Sequence, residues 1–376
     1  VGQRTGMTYG PTSAYYSHDE RGRVKLVRTT INDYTKETDF LYNADDTIQR
    51  ITYPHADGVQ GRQVSYGYDA AGRPISVADQ SKTYATVATY SPLGGIQVGT
   101  LGSSITINNS YNKRSQPITL TAATGTTTLM SRTYNFAIES ANNGNVYGIA
   151  DGLDALNISD RQTGSATFTY DALNRLVSAT STGTDCSEVD SVRHITKDWG
   201  QAFRMDAWGN LNHVDLTRCS ATHMDQIADT NNQLTGYSYD SVGNTINDTV
   251  HTFGYDAEGR LLSVGGVPVY TYDADGNRVA KTTMLYWAGS ISDALSESDA
   301  SGAVLSDYIF FGGKRVARID LASPTAPQYY LSDHLGSTSV VTNEDASFKT
   351  ETMYYPYGGI RWEEGSDPNH YKFTGK

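Results

Sequence analysis

The chain has 376 residues, of which 38% are hydrophobic and 19% are charged, and its formal net charge is −12 at pH 7. The basic residues are dispersed singly, which argues against nucleic acid as a ligand because a phosphate-binding surface needs clustered Lys and Arg. No apolar stretch approaches the roughly 20 residues that a membrane-spanning helix requires. Tyrosine is abundant, with 27 copies against 9 Phe and 4 Trp, and this composition favours an all-β protein.

A short phrase recurs along the chain: tyrosine, a small acidic or amide residue, two variable positions, usually glycine, then a basic or amide residue and an aliphatic. Residues 1 to about 135 contain the copies YSHDERGRV from Tyr16, YNADDTI from Tyr42, YDAAGRPI from Tyr68, YSPLGGI from Tyr90 and YNKRSQPI from Tyr111. After a looser stretch, residues 161 to 285 contain YDALNRLV from Tyr170, MDAWGNL from Met205, YDSVGNTI from Tyr239, YDAEGRLL from Tyr255 and YDADGNRV from Tyr272. Periodic self-similarity of this kind is typical of a repeat architecture.

The phrase predicts a β-hairpin. Asp or Asn can hydrogen-bond the backbone two residues on, glycine supplies a positive φ, and the flanking runs alternate apolar and polar residues. The tyrosine ends the first strand and the aliphatic opens the second, so both can pack on one face while the hydroxyl reaches a backbone or carboxylate partner. We expect the ring to be buried, so that Tyr255→Ala destabilises the protein by about 3 kcal/mol or more. The residues assigned to this structural repeat are Tyr68, Asp69, Gly72, Tyr170, Asp171, Tyr239, Asp240, Gly243, Tyr255, Asp256, Gly259, Tyr272, Asp273 and Gly276.

The spacing of the copies bears on the architecture. The steps from Tyr68 through Tyr90 and Tyr111 to Tyr134 are 22, 21 and 23 residues, whereas those from Tyr239 through Tyr255 to Tyr272 are 16 and 17. This irregularity argues against a regular solenoid and favours a spiralling, curved sheet of hairpins, shell-like or barrel-like, with loops of variable length. An ordinary β-sandwich with frequent turns is the alternative.

The only two cysteines, Cys186 and Cys219, lie in a polar insertion running from about residue 181 to 232. Because they bracket this insertion in a chain that looks extracellular, we expect them to form a disulfide; two unrelated thiols are the alternative. The pair lacks CxxC spacing and nearby ligands, which argues against a metal site.

Residues 1–285 are therefore predicted to be one repeat array. From residue 286 to 376 strands and turns alternate without the phrase, and this segment contains YYLSDHLGSTSVVTN, in which Asp333, His334, Leu335, Gly336 and Ser337 form a distinctive DHLGS string. No Pro-rich or Gly/Ser linker separates the two parts.

The YDxxGR/N phrase followed by DHLGS resembles the RHS/YD-repeat family, and the second string looks like the start of the RHS repeat-associated core. The resemblance covers essentially the whole chain and is greatest to bacterial members. It implies a long sheet of hairpins that spirals into a hollow shell. In toxin complexes and polymorphic toxins such a shell encloses a C-terminal payload, and the core segment plugs the shell and, in many members, cleaves the chain at an aspartate-based site. Eukaryotic relatives use a similar barrel in cell adhesion.

The sequence departs from that pattern at its end. It stops at KFTGK, before the Tyr- and Gly-rich stretch, the DPxG-type motif and the variable toxin, so neither self-cleavage nor a payload activity transfers to any residue here. It also begins within the array, and we therefore expect a fragment of something longer. About ten hairpins predict an incomplete shell, a smaller barrel or a unit that assembles with copies of itself through its edge strands.

The candidate catalytic and metal-binding motifs have little support in the sequence. Asp333, His334 and Ser337 lie within five positions, where a catalytic triad rarely forms, and a tight turn is the expected structure. The eight His are scattered, and the calcium-loop-like string around Asp273, Asp275 and Asn277 lacks its closing Glu. We therefore expect no catalytic, cofactor-binding or metal-binding residue.

Three functions remain open. The first is a non-enzymatic structural segment, at the bacterial surface or outside the cell, that encapsulates or displays a payload or self-assembles. The second is an adhesin-like module that binds glycans or a cell surface through exposed tyrosines and loops. The third is the carrier part of a polymorphic toxin. The expected partners are the protein's own missing N- and C-terminal regions or copies of itself, or a glycan under the adhesin alternative, with no nucleic acid and no membrane span.

Overall fold

The structure is a computed structural model that describes residues 2–56, 58–137, 141–156, 158, 160–288, 293–367 and 370–375. Among these residues there are 35 strands, two short 3₁₀-helices (Gly152–Leu156 and Phe373–Gly375) and no α-helix. The predicted all-β hairpin array is confirmed.

The strands up to residue 135 are long and regular. They are β1 (Gly6–Tyr9), β2 (Thr12–His18), β3 (Val24–Ile31), β4 (Tyr34–Tyr42), β5 (Ile48–His55), β6 (Gln63–Tyr68), β7 (Pro74–Ala78), β8 (Thr83–Tyr90), β9 (Ile96–Leu101), β10 (Ile105–Tyr111), β11 (Pro117–Thr124) and β12 (Thr127–Asn135).

The middle of the chain has shorter strands. They are β13 (Gly148–Asp151), β14 (Ala166–Tyr170), β15 (Leu176–Ser181), β16 (Glu188–Asp190), β17 (Ile195–Thr196), β18 (Trp199–Met205), β19 (Leu211–Cys219), β20 (Met224–Asp225), β21 (Ser238–Tyr239), β22 (Thr245–Asn247), β23 (Phe253–Tyr255), β24 (Leu261–Val264), β25 (Val267–Pro268), β26 (Tyr270–Tyr272) and β27 (Arg278–Lys281).

The C-terminal strands are again longer. They are β28 (Met284–Ala288), β29 (Ala294–Ser298), β30 (Val304–Phe311), β31 (Lys314–Asp320), β32 (Gln328–Ser332), β33 (Thr338–Thr342), β34 (Phe348–Tyr354) and β35 (Ile360–Gly365).

The chain divides into two compact units, each made of two segments. Unit 1 comprises residues 1–86 and 236–328, and unit 2 comprises residues 87–235 and 329–376. The predicted boundary between residues 285 and 286 is a division by sequence character, and it stays a prediction.

In unit 1, consecutive strands from β1 to β8 pair antiparallel. A second antiparallel series runs from β26 to β31. Two small ribbons, β21–β22 and β23–β24–β25, complete the unit. One hydrophobic cluster joins the two series, because Ile31 packs with Val279, Ala280, Leu285 and Trp287.

In unit 2, antiparallel pairing runs from β9 through β15, continues to β18, β19 and β20, and recurs from β32 to β35. The β16–β17 ribbon lies in the insertion. The core of this unit contains Ala166, Ala179, Trp199, Phe203, Val214 and Tyr355.

Burial differs between the array and the C-terminal strands. In array strands such as β4 and β12, buried residues alternate with partly or fully exposed ones, and the buried set includes the polar side chains of Lys36 and Arg132. By contrast, all five residues of β29 and of β33 are buried. A strand buried at successive positions is covered on both faces. The C-terminal segment (residues 286–376) therefore supplies interior strands.

Candidate functional site: the repeat turns and the buried C-terminal segment

Each predicted phrase forms a five-residue repeat turn, and Asp256–Arg260 between β23 and β24 is representative. The backbone N–H of Asp256 donates to the carbonyl of Arg260 (3.0 Å), and the N–H of Gly259 donates to the carbonyl of Asp256 (3.1 Å). Asp256 Oδ1 accepts from the N–H groups of Glu258 and Arg260, both at 2.9 Å, and Oδ2 accepts from Arg260 Nε at 2.6 Å. Burial of the Asp256 carboxyl raises its pKa, whereas hydrogen bonds to the charged carboxylate lower it. The hydrogen bonds have the larger effect, so the pKa of Asp256 lies well below its ordinary value.

Four other predicted copies repeat this geometry. In each, the turn aspartate accepts two backbone N–H bonds and one side-chain bond from the fifth residue of the turn. The pairs are Asp69 with Arg73, Asp171 with Arg175, Asp240 with Asn244, and Asp273 with Asn277.

The fourth residue of the turn lies in the left-handed region of backbone conformation. Its φ is +74° at Gly72, +96° at Gly243, +76° at Gly259 and +82° at Gly276. Asn174 occupies the same position in the turn of Asp171 with φ +60°. Gly, and less readily Asn, adopts this conformation at low cost, which favours these residue types here. Asp46, Ser115 and Ala346 occupy the same position in other turns, with φ of +70°, +61° and +65°.

The repeat tyrosines connect each hairpin to the one before it. The hydroxyl of Tyr255 donates to the carbonyl of Thr245 at 2.8 Å, and that of Tyr272 donates to the carbonyl of Leu261 at 2.9 Å. In both cases the acceptor is the first residue after the preceding repeat turn. The same relation holds for Tyr42 with Val24, Tyr68 with Ile48, Tyr111 with Ile96 and Tyr354 with Thr338. We call this series of bonds the hydroxyl ladder.

One predicted tyrosine, Tyr170, stands apart from this rule. Tyr170 donates to the carbonyl of Val146 (2.8 Å), which lies in the looser stretch rather than after a repeat turn. Tyr239 ends the two-residue strand β21 and is partly buried. The ladder rings as a set are partly rather than fully buried, so the large truncation cost expected for Tyr255 is revised downward.

The DHLGS string is a further repeat turn. Asp333 N donates to the carbonyl of Ser337 (3.0 Å), Gly336 has φ +85°, and Asp333 Oδ1 accepts from the N–H groups of Leu335 (2.9 Å) and Ser337 (2.8 Å). The hydroxyl of buried Ser337 accepts from Thr374 N at 3.2 Å. The string is thus a tight turn whose aspartate and serine oxygens serve backbone contacts.

The ring of His334 packs against the ring of Tyr134, with ring centroids 4.5 Å apart. Burial lowers the pKa of His334, against the opposing charge of Asp333. Leu335 is 52% exposed at the tip of the turn.

Sequence reasoning missed that repeat turns continue beyond residue 286. Asp299, Asn343 and Tyr355 each open a turn in which their N–H donates to the carbonyl four residues on. The signal was available at Asp299, since SDASGAV keeps the aspartate, the glycine and the aliphatic, although it lacks the tyrosine and the basic or amide residue.

In the insertion, the structure joins Cys186 to Cys219 through a disulfide with Cα atoms 5.2 Å apart. Cys219 ends β19, and Cys186 lies just before β16. The bond closes a chain segment with a sequence separation of 33 residues.

The two carboxylates of the calcium-loop candidate already have hydrogen-bond or ion-pair partners. Asp273 Oδ1 accepts from the N–H groups of Asp275 and Asn277, and the carboxylate of Asp275 pairs with Arg4 at 2.5 Å. Among the described residues, no three His, Cys, Asp or Glu side chains come together in an arrangement that could hold a metal ion.

A buried charge cluster anchors the C-terminal segment within unit 2. Glu351 on β34 accepts from Arg161 Nε (2.9 Å) and Nη2 (2.7 Å) and lies 3.3 Å from Arg132 of β12. Asp151 of β13 pairs with both arginines. Burial disfavours the charged carboxylate of Glu351, but the two guanidinium groups outweigh it and lower its pKa.

Unit 1 has a comparable cluster. Arg62 pairs with Asp79 at 2.6 Å and with Asp307 of β30 at 2.9 Å, and the hydroxyl of Tyr53 donates to the carbonyl of Tyr308 at 2.7 Å. Burial raises the pKa of Asp307. In both units, inward-pointing basic residues of the array therefore meet acidic residues of the C-terminal segment.

The RHS Repeat family matches residues 255–291, which contain the turns of Asp256 and Asp273. This part of the chain is an RHS repeat.

Curated relatives share about half of this chain at low identity. The tRNA3(Ser)-specific nuclease WapA of Bacillus spizizenii is 26% identical over 197 residues, and the tRNA nuclease WapA of Bacillus subtilis strain 168 is 24% identical over 195 residues. Each match covers 46% of this chain and 8% of the relative. The chain thus spans less than a tenth of these relatives.

Solved structures match almost the whole chain in fold. The crystal structure of TcdB2-TccC3 and the Tc holotoxin pore of Photorhabdus luminescens both superpose with a TM-score of 0.76 at 16% identity, covering 98% of this chain and 22% and 21% of theirs. The likeness shows a common fold. In the part of the chain that the structure describes, no helix has the length and apolarity to cross a membrane.

Proposed function

We propose that this chain is a non-enzymatic wall segment of a secreted or cell-surface bacterial RHS/YD-repeat polypeptide. Its role is mechanical: the hairpins form a curved wall, and the C-terminal segment lines it and carries the polypeptide toward an enclosed or displayed payload. The observation that carries this proposal is the pairing of inward-pointing Arg132 and Arg161 with Glu351 of the buried C-terminal segment. An array that worked by its outer surface would have no need for charged residues on its inner face.

The hydroxyl ladder supports the same role. Each tyrosine bonds its hairpin to the preceding one, so that the array is tied along its length by many small interactions. Such a wall is stabilised by neighbour-to-neighbour contacts, as expected for a repeat protein.

The curated relatives favour one kind of payload. Because they are named tRNA nucleases and this chain spans a small part of them, the payload of the parent polypeptide would be a toxin. The adhesin alternative has less support, since the ladder tyrosines that could stack on sugars use their hydroxyls in backbone hydrogen bonds.

The experiment is limited proteolysis of the full-length secreted polypeptide. We expect whatever chain follows residue 376 to resist digestion while it is attached to the array, and to become sensitive in Glu351→Gln. Glu258→Gln is the matched control, because its side chain is 64% exposed. A gene that stops soon after residue 376, or a downstream region digested equally in all three proteins, would contradict the carrier role.

A further inference from the structure

Unit 2 contains a cavity of about 590 Å³, lined by residues of the array strands and of the C-terminal segment that all belong to this unit. Cavities that hold small molecules have volumes of roughly 300–1,000 Å³. The lining includes Ser115, Gly144 and Leu335, which are exposed, so the cavity opens to the surface beside these residues. A small molecule can therefore enter it.

Aromatic rings line the cavity next to the DHLGS turn. The ring of Tyr134 packs against that of His334, with centroids 4.5 Å apart. The ring of Tyr354 packs against that of Phe373, with centroids 5.6 Å apart. All four rings belong to the lining. Because the faces of aromatic rings carry partial negative charge, they attract cations as well as apolar groups. We call the space the aromatic cavity.

Asp333 differs in one hydrogen bond from the aspartates of the predicted copies. In those copies the second carboxylate oxygen, Oδ2, accepts from the arginine or asparagine at the fifth position of the turn. In the DHLGS turn the fifth residue is Ser337, whose hydroxyl accepts from Thr374 N at 3.2 Å. Asp333 Oδ1 has its two backbone donors, but Oδ2 has no hydrogen-bond or ion-pair partner among the described residues.

The unpartnered oxygen of Asp333 can be reached from the cavity. Asp333 belongs to the lining, and its Oδ2 is not one of the buried oxygen atoms that lack a partner, so it retains accessible surface. Burial, and after it the charge of Asp333, raise the pKa of the hydroxyl groups of Tyr134 and Tyr354. The carboxylate therefore acts at the end of the cavity where these two rings lie.

The charges around the cavity leave this carboxylate in excess. The buried charge cluster of unit 2 contains two guanidinium groups and, with Asp154, three carboxylates. The third carboxylate offsets Arg361, which lies within electrostatic reach of the cluster. Burial lowers the pKa of His334, so the ring beside Asp333 is neutral at pH 7. A cation near Asp333 would balance the remaining negative charge.

We propose that the aromatic cavity binds a small organic amine in its ammonium form, with an apolar or aromatic body. The ammonium donates to Asp333 Oδ2 and lies among the rings, and the body extends along the lining. The ligand thus supplies the donor that the fifth residue of the turn supplies in the predicted copies. A neutral alcohol of the same shape fills the same space and leaves the carboxylate unbalanced, so the site discriminates amines from alcohols. This site is independent of the wall function.

The first test uses the full chain and three amine–alcohol pairs: 2-phenylethylamine with 2-phenylethanol, tyramine with tyrosol, and tryptamine with tryptophol. By isothermal titration calorimetry at pH 7 we expect at least one amine to bind with a Kd below about 1 mM and its alcohol to bind about tenfold more weakly or worse. Failure of all three amines, or equal binding of amine and alcohol, overturns the proposal.

The second test removes the charge. Asp333→Asn keeps the shape of the side chain and an oxygen for the backbone donors, and we expect the amine to bind about tenfold more weakly while the alcohol binds as before. Asp171→Asn is the matched control, because Asp171 stands at the same turn position, has Arg175 as its partner and lies outside the lining. Circular dichroism checks folding. Unchanged amine affinity in folded Asp333→Asn, or an equal loss in both variants, would refute the assignment to Asp333.

The third test locates the ligand in the unsubstituted protein, and it decides the question even if Asp333→Asn does not fold. The photolabel 4-azidophenethylamine should modify peptides that contain lining residues, within 132–136, 166–176 or 352–356, as mapped by mass spectrometry. We expect 2-phenylethylamine to prevent this labelling and 2-phenylethanol, at the same concentration, to leave it in place. Labelling confined to other peptides, or equal protection by amine and alcohol, would contradict the proposed site.

Discussion

The substitution Tyr255→Phe removes one hydrogen bond of the hydroxyl ladder and so tests the contact between two successive hairpins. The hydroxyl of Tyr255 donates to the carbonyl of Thr245 at 2.8 Å, and the substitution deletes only that oxygen. A neutral hydrogen bond contributes about 0.5–1.5 kcal/mol net, and partial exposure lets water replace some of it. We therefore expect a loss of about 0.5–1 kcal/mol, localised to strands β21 to β24.

Hydrogen exchange followed by mass spectrometry measures such a local loss. A decrease of about 1 kcal/mol in the free energy of opening makes protected amides exchange about fivefold faster. The effect should appear in peptides covering residues 238–264 and be absent from those of unit 2. Tyr255→Ala, which also removes a partly buried ring, should cost about 1.5–2 kcal/mol, less than the 3 kcal/mol expected for a fully buried one.

Tyr15→Phe is the control for this experiment. Tyr15 is 56% exposed and its hydroxyl makes no hydrogen bond among the described residues, so exchange should be unchanged. If Tyr255→Phe also leaves exchange at residues 238–264 unchanged, the ladder does not stabilise the array and the reasoning fails.

Four further perturbations test other parts of the structure. Gly72→Ala should cost about 1 kcal/mol by calorimetry, because φ is +74° while no atom lies within 4 Å of the new Cβ. Asp69→Asn should make the free energy of unfolding less dependent on pH in acid. Hydrogen bonds from the side chain and backbone of Arg73 lower the pKa of Asp69. The stability that this carboxylate contributes is therefore present above its unfolded pKa, near pH 4, and is lost as pH falls through its folded pKa. Replacing Cys186 and Cys219 by Ala should cost about 3.7 kcal/mol in local stability, as the chain-entropy relation gives for a separation of 33 residues. Glu351→Gln should cost about 3–5 kcal/mol in thermal unfolding of unit 2, because it removes the buried carboxylate that Arg132 and Arg161 both contact.

Matched variants control these measurements. Asn174→Gly, at the same turn position with φ +60°, should change stability by no more than a few tenths of a kcal/mol. Glu258→Gln, exposed and 3.3 Å from Arg260, should cost less than about 0.5 kcal/mol. A Gly72→Ala protein as stable as the parent would remove the argument for glycine in the turn. Free thiols at Cys186 and Cys219 in the secreted protein would contradict the disulfide.

The repeat turns could be predicted from sequence because all their bonds lie within five residues. The carboxylate of Asp256, the positive φ of Gly259 and the guanidinium of Arg260 act locally, and their order in the chain specifies the geometry. The turns at Asn343 and Tyr355 were harder to see, since they keep the backbone bonds with different side chains.

The inner face of the array could not be predicted. Lys36 and Arg132 stand at alternating strand positions, and a charged residue in such a pattern is ordinarily assigned to the solvent side. Their inward orientation depends on acids far along the chain, such as Asp307 and Glu351. The pairing of Trp199 with Arg361 is equally remote in sequence. A single sequence does not show which distant residues are in contact in the folded protein.

Cryo-electron microscopy of the full-length secreted polypeptide tests the wall proposal most directly. We predict that residues 1–376 form part of a curved wall, with the ladder tyrosines between successive hairpins and the strands from β29 to β34 on its inner side next to enclosed chain. Particles in which this region stands apart from the rest of the polypeptide, with nothing enclosed and its C-terminal strands facing solvent, would contradict the proposal.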